Sequence, residues 1–377
     1  MKSLHIATLH KRNDTRILLK ECASLSEAGY DVAFVVGDGQ GDENSGKVRV
    51  VDVGSAEGRF ASRLVPMWRA MRRVREEMPD VIHFHDGMFL PLAIFLALTG
   101  WRVVYDVHED YRQQVMNTRF SLLFRRAASL GYSVLEWIGS RVFTRIVAAT
   151  PHIASRFPEH KTVLIQNFPM LDELSALHPV SHAERPEQFA FIGGITGHRG
   201  IRQMIDAMER LHREGAMLEL AGAFGSKSLQ DEMKERPGWK YVRFRNWLPR
   251  SGVADVFERS RAGLVLFHPG PNHDLAQPNK LFEYMSASLP VIASDFPLWR
   301  QIVEGAGCGL LVDPLDVDAV TEAMRWILDY PEQAEQMGQR GRQAVTVTYN
   351  WEREAEKLVE CYRALQKTEW ESTEKCA

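Results

Sequence analysis

The sequence predicts an α/β protein made of two doubly wound parallel sheets in succession. Three observations carry that reading. Strand-like apolar runs alternate with helical patterns almost throughout, the alternation falls into two series, and an aperiodic stretch separates them. A chain of 377 residues also exceeds one ordinary core, at about 100–200 residues per domain.

The first series reads LHIATL, YDVAFVV, VRVVDV, DVIHFH, RVVYDV and RIVAAT, each run ending in polar or small residues. It defines an N-terminal Rossmann-like domain over residues 1–168. Residues 169–187, rich in Pro, His and acidic side chains and without a sustained period, read as a linker. The second series, over residues 188–346, runs QFAFIGG, AMLELAG, KYVRFRN, AGLVLFH, PVIASD and CGLLVD. From 347 to 377 only helical pattern remains, with Ala355, Leu358, Val359, Tyr362 and Leu365 on one stripe.

Composition narrows the class. Apolar residues make up 45 % and charged residues 25 %, as in soluble globular proteins. The net charge of −3 gives no global reason to expect nucleic acid. Cys22, Cys308, Cys361 and Cys376 are far apart and form no CxxC pair, so neither a zinc site nor a disulfide framework is expected, and a reducing cytoplasm fits. MKSLHIATLHKRNDT lacks the apolar run of a signal peptide. The longest apolar run, Met88 to Thr99, falls short of the roughly 20 residues of a membrane span and reads as a buried helix.

In open parallel sheets ligands bind beyond the carboxyl ends of the strands, so the loops after each strand are where chemistry is sought. After QFAFI comes GGITGHRGI, with Gly193, Gly194, Gly197 and Gly200, which delivers Arg199 to the start of the helix IRQMIDAMERL. Free backbone donors, a helix dipole and a guanidinium favour an anion, above all phosphate. The competing reading is a left-handed turn with a solvated arginine. The spacing fits neither GxGxxG nor a Walker A loop, which removes a nicotinamide enzyme from consideration.

In QPNKLFEYMSASLPVIASD, Pro278 and Asn279 open a helix on which Lys280 and Glu283, three apart, share a face. A cation for phosphate thus stands beside a carboxylate, the natural acceptor for vicinal ribose hydroxyls. The alternative is an ion pair worth a few tenths of a kcal/mol. His108, in YDVHED with Asp106, Glu109 and Asp110, ends a strand, where a neutral imidazole can hydrogen-bond a sugar or a departing phosphate; the alternative is a histidine that satisfies the strand end.

Three segments are read as decoys. In HFHD we place His83 and His85 on opposite faces of their strand, so no metal is expected there. Asp316-Val317-Asp318 resembles a metal-binding DxD but opens a helical pattern, where an aspartate caps free amides. GDGQG at 37–41 is followed by no helix and reads as a loop. The stretch from Arg112 to Arg145 holds Arg112, Arg119, Arg125, Arg126, Arg141 and Arg145 against one acid, Glu136, with Leu, Phe, Tyr and Trp interleaved. It is either a helix that lies on an anionic membrane or receives a lipid diphosphate, or a core helix with a solvated basic edge. Met67, Trp68 and Met71, among arginines 69, 72, 73 and 75, could extend the same surface.

PNKLFEYMSASLPVIASD, GCGLLVDPLDVDAVTEAM and YNWEREAEKLVECYRAL resemble glycosyltransferase family 4, and FIGGITGHRGI falls where that family places its diphosphate loop. LHKRNDTRILLKECASLSEAGYDVAFV and VVYDVHEDYR resemble a branch that builds bacterial surface polysaccharides. The resemblance implies the GT-B fold, two facing Rossmann-like domains with a C-terminal helix returning to the first. It also implies a retaining transfer from a nucleotide-diphosphate sugar, UDP- or GDP-linked, without a divalent metal or other cofactor. By position it gives Glu283 the donor ribose, Arg199 the role of the family's phosphate-binding lysine, and His108 a place near the transferred sugar. Two departures stand out: Leu275 replaces the family's first glutamate, a contact to the donor sugar, and Gly194 replaces an arginine. Lys280 is the expected substitute for the lost cation. Asp274, Gln277 or loop amides are the expected substitutes for the lost carboxylate, and the base is expected near Asn246 and Trp247.

The expected function is therefore a glycosyltransferase acting on a glycan or lipid-linked acceptor, either free in the cytoplasm or at the inner face of an anionic membrane, with no nucleic-acid partner. Arg199, Lys280 and the loop amides would stabilise the charge that develops on the leaving diphosphate. Gly193, Gly194, Arg199, Asn279, Lys280, Glu283, Trp247 and Gln277 form the expected donor site, with His108, Arg199 and Lys280 as its catalytic groups. The competing readings are a nucleotide-sugar epimerase of the same fold and a non-catalytic nucleotide-sugar binder.

Overall fold

The structure, a computed structural model, describes residues 1–58, 61–116, 121–171, 181–211, 213, 215–270 and 273–374, apart from the side chains at 114 and 367–374. The chain divides into two compact units. One joins Met1–Asn167 to Trp351–Ala377, and the other is Phe168–Asn350. Part of the expected linker, residues 172–180, lies outside the described residues.

The first unit holds an eight-stranded sheet. Its strands are β1 (Lys2–Ile6), β2 (Asp31–Val36), β3 (Glu43–Ser45), β4 (Val48–Asp52), β5 (Val81–Phe84), β6 (Val103–Val107), β7 (Arg145–Ala148) and β8 (Thr162–Leu164). Their order is β3-β4-β2-β1-β5-β6-β7-β8, parallel throughout except for the antiparallel β3–β4 edge. The second unit holds β9 (Gln188–Ile192), β10 (Met217–Ala221), β11 (Val242–Phe244), β12 (Ala262–Val265), β13 (Val291–Ser294) and β14 (Gly309–Val312). These pair in parallel in the order β11-β10-β9-β12-β13-β14.

Helices cover both faces of each sheet, so the central strands are apolar nearly end to end: in β2 every residue after Asp31 is buried. The helices are one-sided. In Ile201–Leu211 the buried set is Ile201, Met204, Ile205, Ala207, Met208 and Leu211, the stripe that a period of 3.6 residues lays on a sheet. Asp316 caps the helix Val317–Asp329, accepting from the amides of Asp318 and Ala319 at 2.9 and 3.2 Å. The glycines of GDGQG lie in the loop after β2, with Gly39 and Gly41 at φ 76° and 83°.

Two expectations need correction. Met88–Thr99 is not wholly buried: its helix, Leu90–Leu98, packs Leu90, Ala93, Ile94 and Leu96 inward but leaves Phe95 and Leu98 exposed. A helix apolar on all sides meets a sheet on one side only, and the other side is left to water. Met67 and Met71 do not extend an outer surface. Both are buried on the inner side of the helix Ala61–Glu77, and of the three only Trp68 is exposed.

The terminal helix, Trp351–Glu374, completes the first unit. Trp351, Glu354, Leu358, Cys361, Tyr362 and Leu365 are buried along one side. Trp351 Nε1 donates to Ser24 Oγ at 2.9 Å, and Glu354 Oε2 accepts from the Gln166 amide at 2.9 Å. No described helix is long and apolar enough to cross a membrane. Leu358→Ala, at a fully buried position, should cost about 2–5 kcal/mol, read by urea denaturation; a loss below about 1 kcal/mol would mean that the helix is not a core element of this unit.

Candidate functional site

In the second sheet β9 has β10 on one side and β12 on the other, which makes the ends of β9 and β12 the point where the winding reverses. The loop after β9 is pressed close on its neighbours. A Cβ on Gly200 (φ 74°) would stand 2.2 Å from the Leu266 carbonyl oxygen, and one on Gly222 would stand 1.9 Å from that of Gly193. Only glycine permits these approaches. A Cβ on Gly194 would lie 2.9 Å from Arg199 Nη1, and one on Gly193 would lie 3.4 Å from Lys280 Nζ. The two glycines therefore border two cations.

Lys280 is the second residue of the helix Asn279–Ser286 and is 93 % shielded from water, at 7 % exposure. Its ammonium rests on aromatic faces, 3.6 Å from the Phe191 ring centre and 5.6 Å from that of Phe267. Nζ has no hydrogen-bond partner among the described residues. Burial, and then the neighbouring charge of Arg199, hold the Lys280 pKa well below the usual lysine value against the opposing pull of Glu283. Arg199 donates from Nη1 to the Gly194 carbonyl at 3.1 Å, stacks over Phe267 at 5.4 Å, and is also lowered by burial. Cation–π contact offsets part of the cost of removing an ammonium from water, but an unpaired buried charge still costs several kcal/mol. Two such cations beside a glycine loop form an anion site.

The alternative reading, an ion pair between Lys280 and Glu283, is not made; Glu283, one turn further on, has Arg250 Nη1 at 3.4 Å from Oε1. Asn279 opens the helix and is exposed, and Gln277 lies half-buried in the loop before it. Trp299 Nε1 pins that loop through the Ala276 carbonyl at 2.7 Å. Leu275 is exposed, while Asp274 Oδ1 accepts from the Gly270 amide at 2.9 Å. Trp247, 78 % exposed, follows β11 next to Asn246, whose φ is 50° and whose carbonyl accepts from the Gly222 amide at 2.6 Å.

In the first unit the winding reverses between β1 and β5. His5 of β1 and His83 of β5 are register partners. The placement of His83 and His85 on opposite faces was wrong. Residues i and i+2 of a strand share a face, and the two rings stack with centres 4.8 Å apart. Glu21, His83, His85 and Asp106 bring ligand-type atoms within 4.8 Å of one another. Arg16 already supplies positive charge there, with Nε 2.9 Å from Glu21 and Nη2 3.1 Å from Asp106, so the cluster is an ion-paired network and is not assigned to a metal.

His108 follows β6 and joins this network, its Nε2 lying 2.5 Å from Asp106 Oδ2. Sequence reading singled out His108 but missed Arg16, Glu21, His5, His85 and Tyr362 as its surroundings. The available signal was histidine at positions 5, 83 and 85, all on adjacent strands.

The basic stretch is mostly satisfied within the unit. Arg112 pairs with Asp110, Arg125 donates to the Met116 carbonyl and Arg145 to that of Thr144, while Glu136 pairs with Arg156. Arg119 lies outside the described residues. The helix Leu122–Val142 nonetheless presents Leu123, Ala127, Leu130, Val134, Trp137 and Arg141 to water at helical spacing. Leu123 is 81 % exposed, and the Arg141 guanidinium lies 3.5 Å over the Trp137 ring.

Replacing Lys280 by methionine should stabilise the ligand-free protein by about 1–3 kcal/mol, because an apolar side chain removes the uncompensated buried charge. The native lysine pKa lies below its unfolded value, so the unfolded chain binds the extra proton and the native state carries a penalty that is full only below the lowered pKa. It fades as pH rises through the window between the lowered pKa and that of a free lysine. Thermal unfolding of both proteins at about pH 7 and pH 10 reads this; an unchanged or lower melting temperature for Lys280→Met at pH 7 contradicts it.

Residues 176–344 match the family described as "Glycosyl transferases group 1", and residues 15–166 match the "Glycosyl transferase 4-like domain". Glycogen synthase of Mycobacterium tuberculosis is 24 % identical over 78 % of this chain and 71 % of that protein. D-rhamnosyltransferase WbpZ of Pseudomonas aeruginosa is 24 % identical over 69 % and 67 %. Among solved structures, Anabaena HepE in complex with UDP superposes with a TM-score of 0.73 at 13 % identity, covering 97 % of this chain and all of that one. Two parallel-sheet units, each matching one half of the same enzyme family, show that the chain belongs to the family 4 glycosyltransferases of GT-B fold.

Proposed function

We propose that this glycosyltransferase transfers a sugar from a UDP- or GDP-sugar to a glycan or lipid-linked acceptor in surface polysaccharide synthesis, with retention of anomeric configuration. The observation that carries the donor reading is the Lys280 ammonium, buried and without a hydrogen-bond partner beside Arg199 and the Gly193–Gly194 loop. A nucleoside diphosphate supplies the missing negative charge. UDP bound to HepE supports a nucleotide donor, and the rhamnosyl transfer named for WbpZ supports sugar transfer.

Bond cleavage concentrates charge on the leaving diphosphate, and groups already oriented towards it stabilise that charge without reorganisation. Arg199 and Lys280 supply two positive charges, the role a divalent ion would otherwise take, so the reaction is proposed to need no metal or other cofactor. Glu283 is assigned the ribose hydroxyls, Trp247, Asn279 and Gln277 the surroundings of the nucleotide and sugar, and His108 the transferred sugar. A donor phosphate oxygen is proposed to take the acceptor proton on the face that the leaving group vacates, which retains configuration without an enzymic nucleophile.

Titration calorimetry with UDP, GDP and NAD in EDTA tests the donor site. UDP or GDP binds, NAD does not, and Glu283→Ala and Arg199→Ala each weaken binding about tenfold or more, whereas His108→Ala lowers turnover with little change in donor affinity. Nucleotide affinity unchanged in both of the first two variants would falsify the assigned site. Binding without turnover on any acceptor would leave a nucleotide-sugar binder, and sugar inversion without an acceptor would leave an epimerase.

The exposed stripe on Leu122–Val142 supports a peripheral contact with an anionic membrane, apolar side chains entering the interface and arginines meeting the headgroups. Sedimentation with phosphatidylglycerol vesicles should recover the protein at low salt, less at high salt, and far less after Leu123→Asp with Trp137→Asp. Equal recovery of wild type and double variant would remove the stripe from the acceptor's approach.

A further inference from the structure

The buried histidines of the first unit form a chain whose proton positions follow from one another. Asp106 is its fixed point. Burial alone would raise its pKa, but Arg16 and His108 hold it well below the usual carboxylate range, so it is ionised. An ionised carboxylate only accepts hydrogen bonds. Oδ1 takes Arg16 Nη2 at 3.1 Å, and Oδ2 takes both His85 Nδ1 at 3.0 Å and His108 Nε2 at 2.5 Å. Both of these ring nitrogens must carry hydrogen. Their separation of 3.3 Å is then the spacing of two donors that share one oxygen.

The rest of the chain is dictated in turn. Burial keeps His85 neutral, its pKa lowered to about 4, so its Nε2 is a lone pair that accepts from His5 Nδ1–H at 3.1 Å. His5, also lowered by burial, then has a lone pair at Nε2, which takes the Tyr362 hydroxyl hydrogen at 3.3 Å. With its hydrogen committed, the Tyr362 oxygen accepts from His83 Nδ1 at 2.8 Å and from Ser3 Oγ at 2.9 Å. That leaves His83 with a lone pair at Nε2. This is the atom found buried without a partner, and an unused lone pair costs less than an unused N–H.

We infer that Asp106, held in place by Arg16 and by the chain Tyr362–His5–His85, is the positioning residue of His108. It fixes hydrogen on Nε2, so that His108 meets its ligand through the Nδ1 lone pair. Nδ1 has no hydrogen-bond partner among the described residues, and a lone pair there recognises a hydroxyl rather than a phosphate oxygen. The groups around the ring are Asp106, His85 and His10, whose ring centre is 5.5 Å away and whose proton is held by Asp14. Arg16 and Glu21 stand behind Asp106, and burial beside Asp106 pushes the Glu21 pKa well above the usual carboxylate range, while Arg16 Nη2 pairs with Asp106 Oδ1 at 3.1 Å. That His108 touches a sugar hydroxyl during transfer rests on the function proposed above; its tautomer does not.

The test is long-range proton–nitrogen correlation spectroscopy of the full chain, labelled with nitrogen-15 histidine and held near pH 8, with the His108 signals identified by their loss in His108→Gln. The expected wild-type spectrum shows His108 protonated at Nε2, and His5, His83 and His85 protonated at Nδ1. In Asp106→Asn, Arg16 holds the amide oxygen and turns the NH2 group towards His108, whose proton then moves to Nδ1. Turnover should fall about 10²–10⁴-fold, as for other carboxylate–histidine pairs, with UDP or GDP affinity unchanged. His108 protonated at Nδ1 in the wild type overturns the inference, whatever the fate of any variant. A folded Asp106→Asn protein with an unmoved proton or unchanged turnover also overturns it. If the wild type binds no nucleotide and transfers no sugar, the functional reading fails while the spectrum still decides the tautomer.

Discussion

A parallel sheet covered by helices on both faces leaves polar chemistry to the carboxyl ends of its strands and the loops beyond them. In each unit, β-strands buried nearly end to end deliver their loops to one edge, and the place where the winding reverses opens a gap between neighbouring loops. The histidine network takes His5, His83 and Asp106 from the last residues of β1, β5 and β6 and His85 and His108 from just beyond them, and the cation pair follows β9 and opens the helix before β13. Sites of opposite character thus come from one constraint, and their difference lies in which residues the loops carry.

The two units handle buried charge in opposite ways. Around Arg16 the ions are matched: Asp106 accepts three hydrogen bonds, Arg16 faces both Asp106 and Glu21, and four histidines and a tyrosine extend the chain. Around Lys280 they are not. The ammonium has only aromatic faces and an adjacent guanidinium, and its cost falls on the free protein. A matched network holds its charges by its own ion pairs, whereas an unmatched one is balanced only with something bound.

The strands were readable because burial on both faces makes them continuous apolar runs, and all twelve runs identified in the sequence are strands. β3 and β8 escaped notice: each has three residues, too few for a period, and Glu43–Ser45 is polar throughout. Gly193, Gly194, Arg199 and Lys280 could be named from local pattern, but the fact that gives them meaning could not. Phe191 on β9 and Phe267 in the loop after β12 shut Lys280 away from water, and their convergence is a property of the sheet order. Likewise Tyr362 read only as one apolar position in a helical stripe. Its hydroxyl matters through three residues more than 270 positions away in the chain.

The terminal helix gives the first unit a peculiar biosynthesis. The unit is interrupted by the whole of the second, and partners such as Gln166 and Glu354 are 188 residues apart. As the chain leaves the ribosome, the second unit is continuous and can finish folding at once, while the first must wait for the last helix with part of its core uncovered. Until that helix arrives the histidines lack the hydroxyl that orders them. The first part of the polypeptide to be made is therefore the last to mature, and a nascent chain stalled in the second unit exposes apolar surface that chaperones recognise.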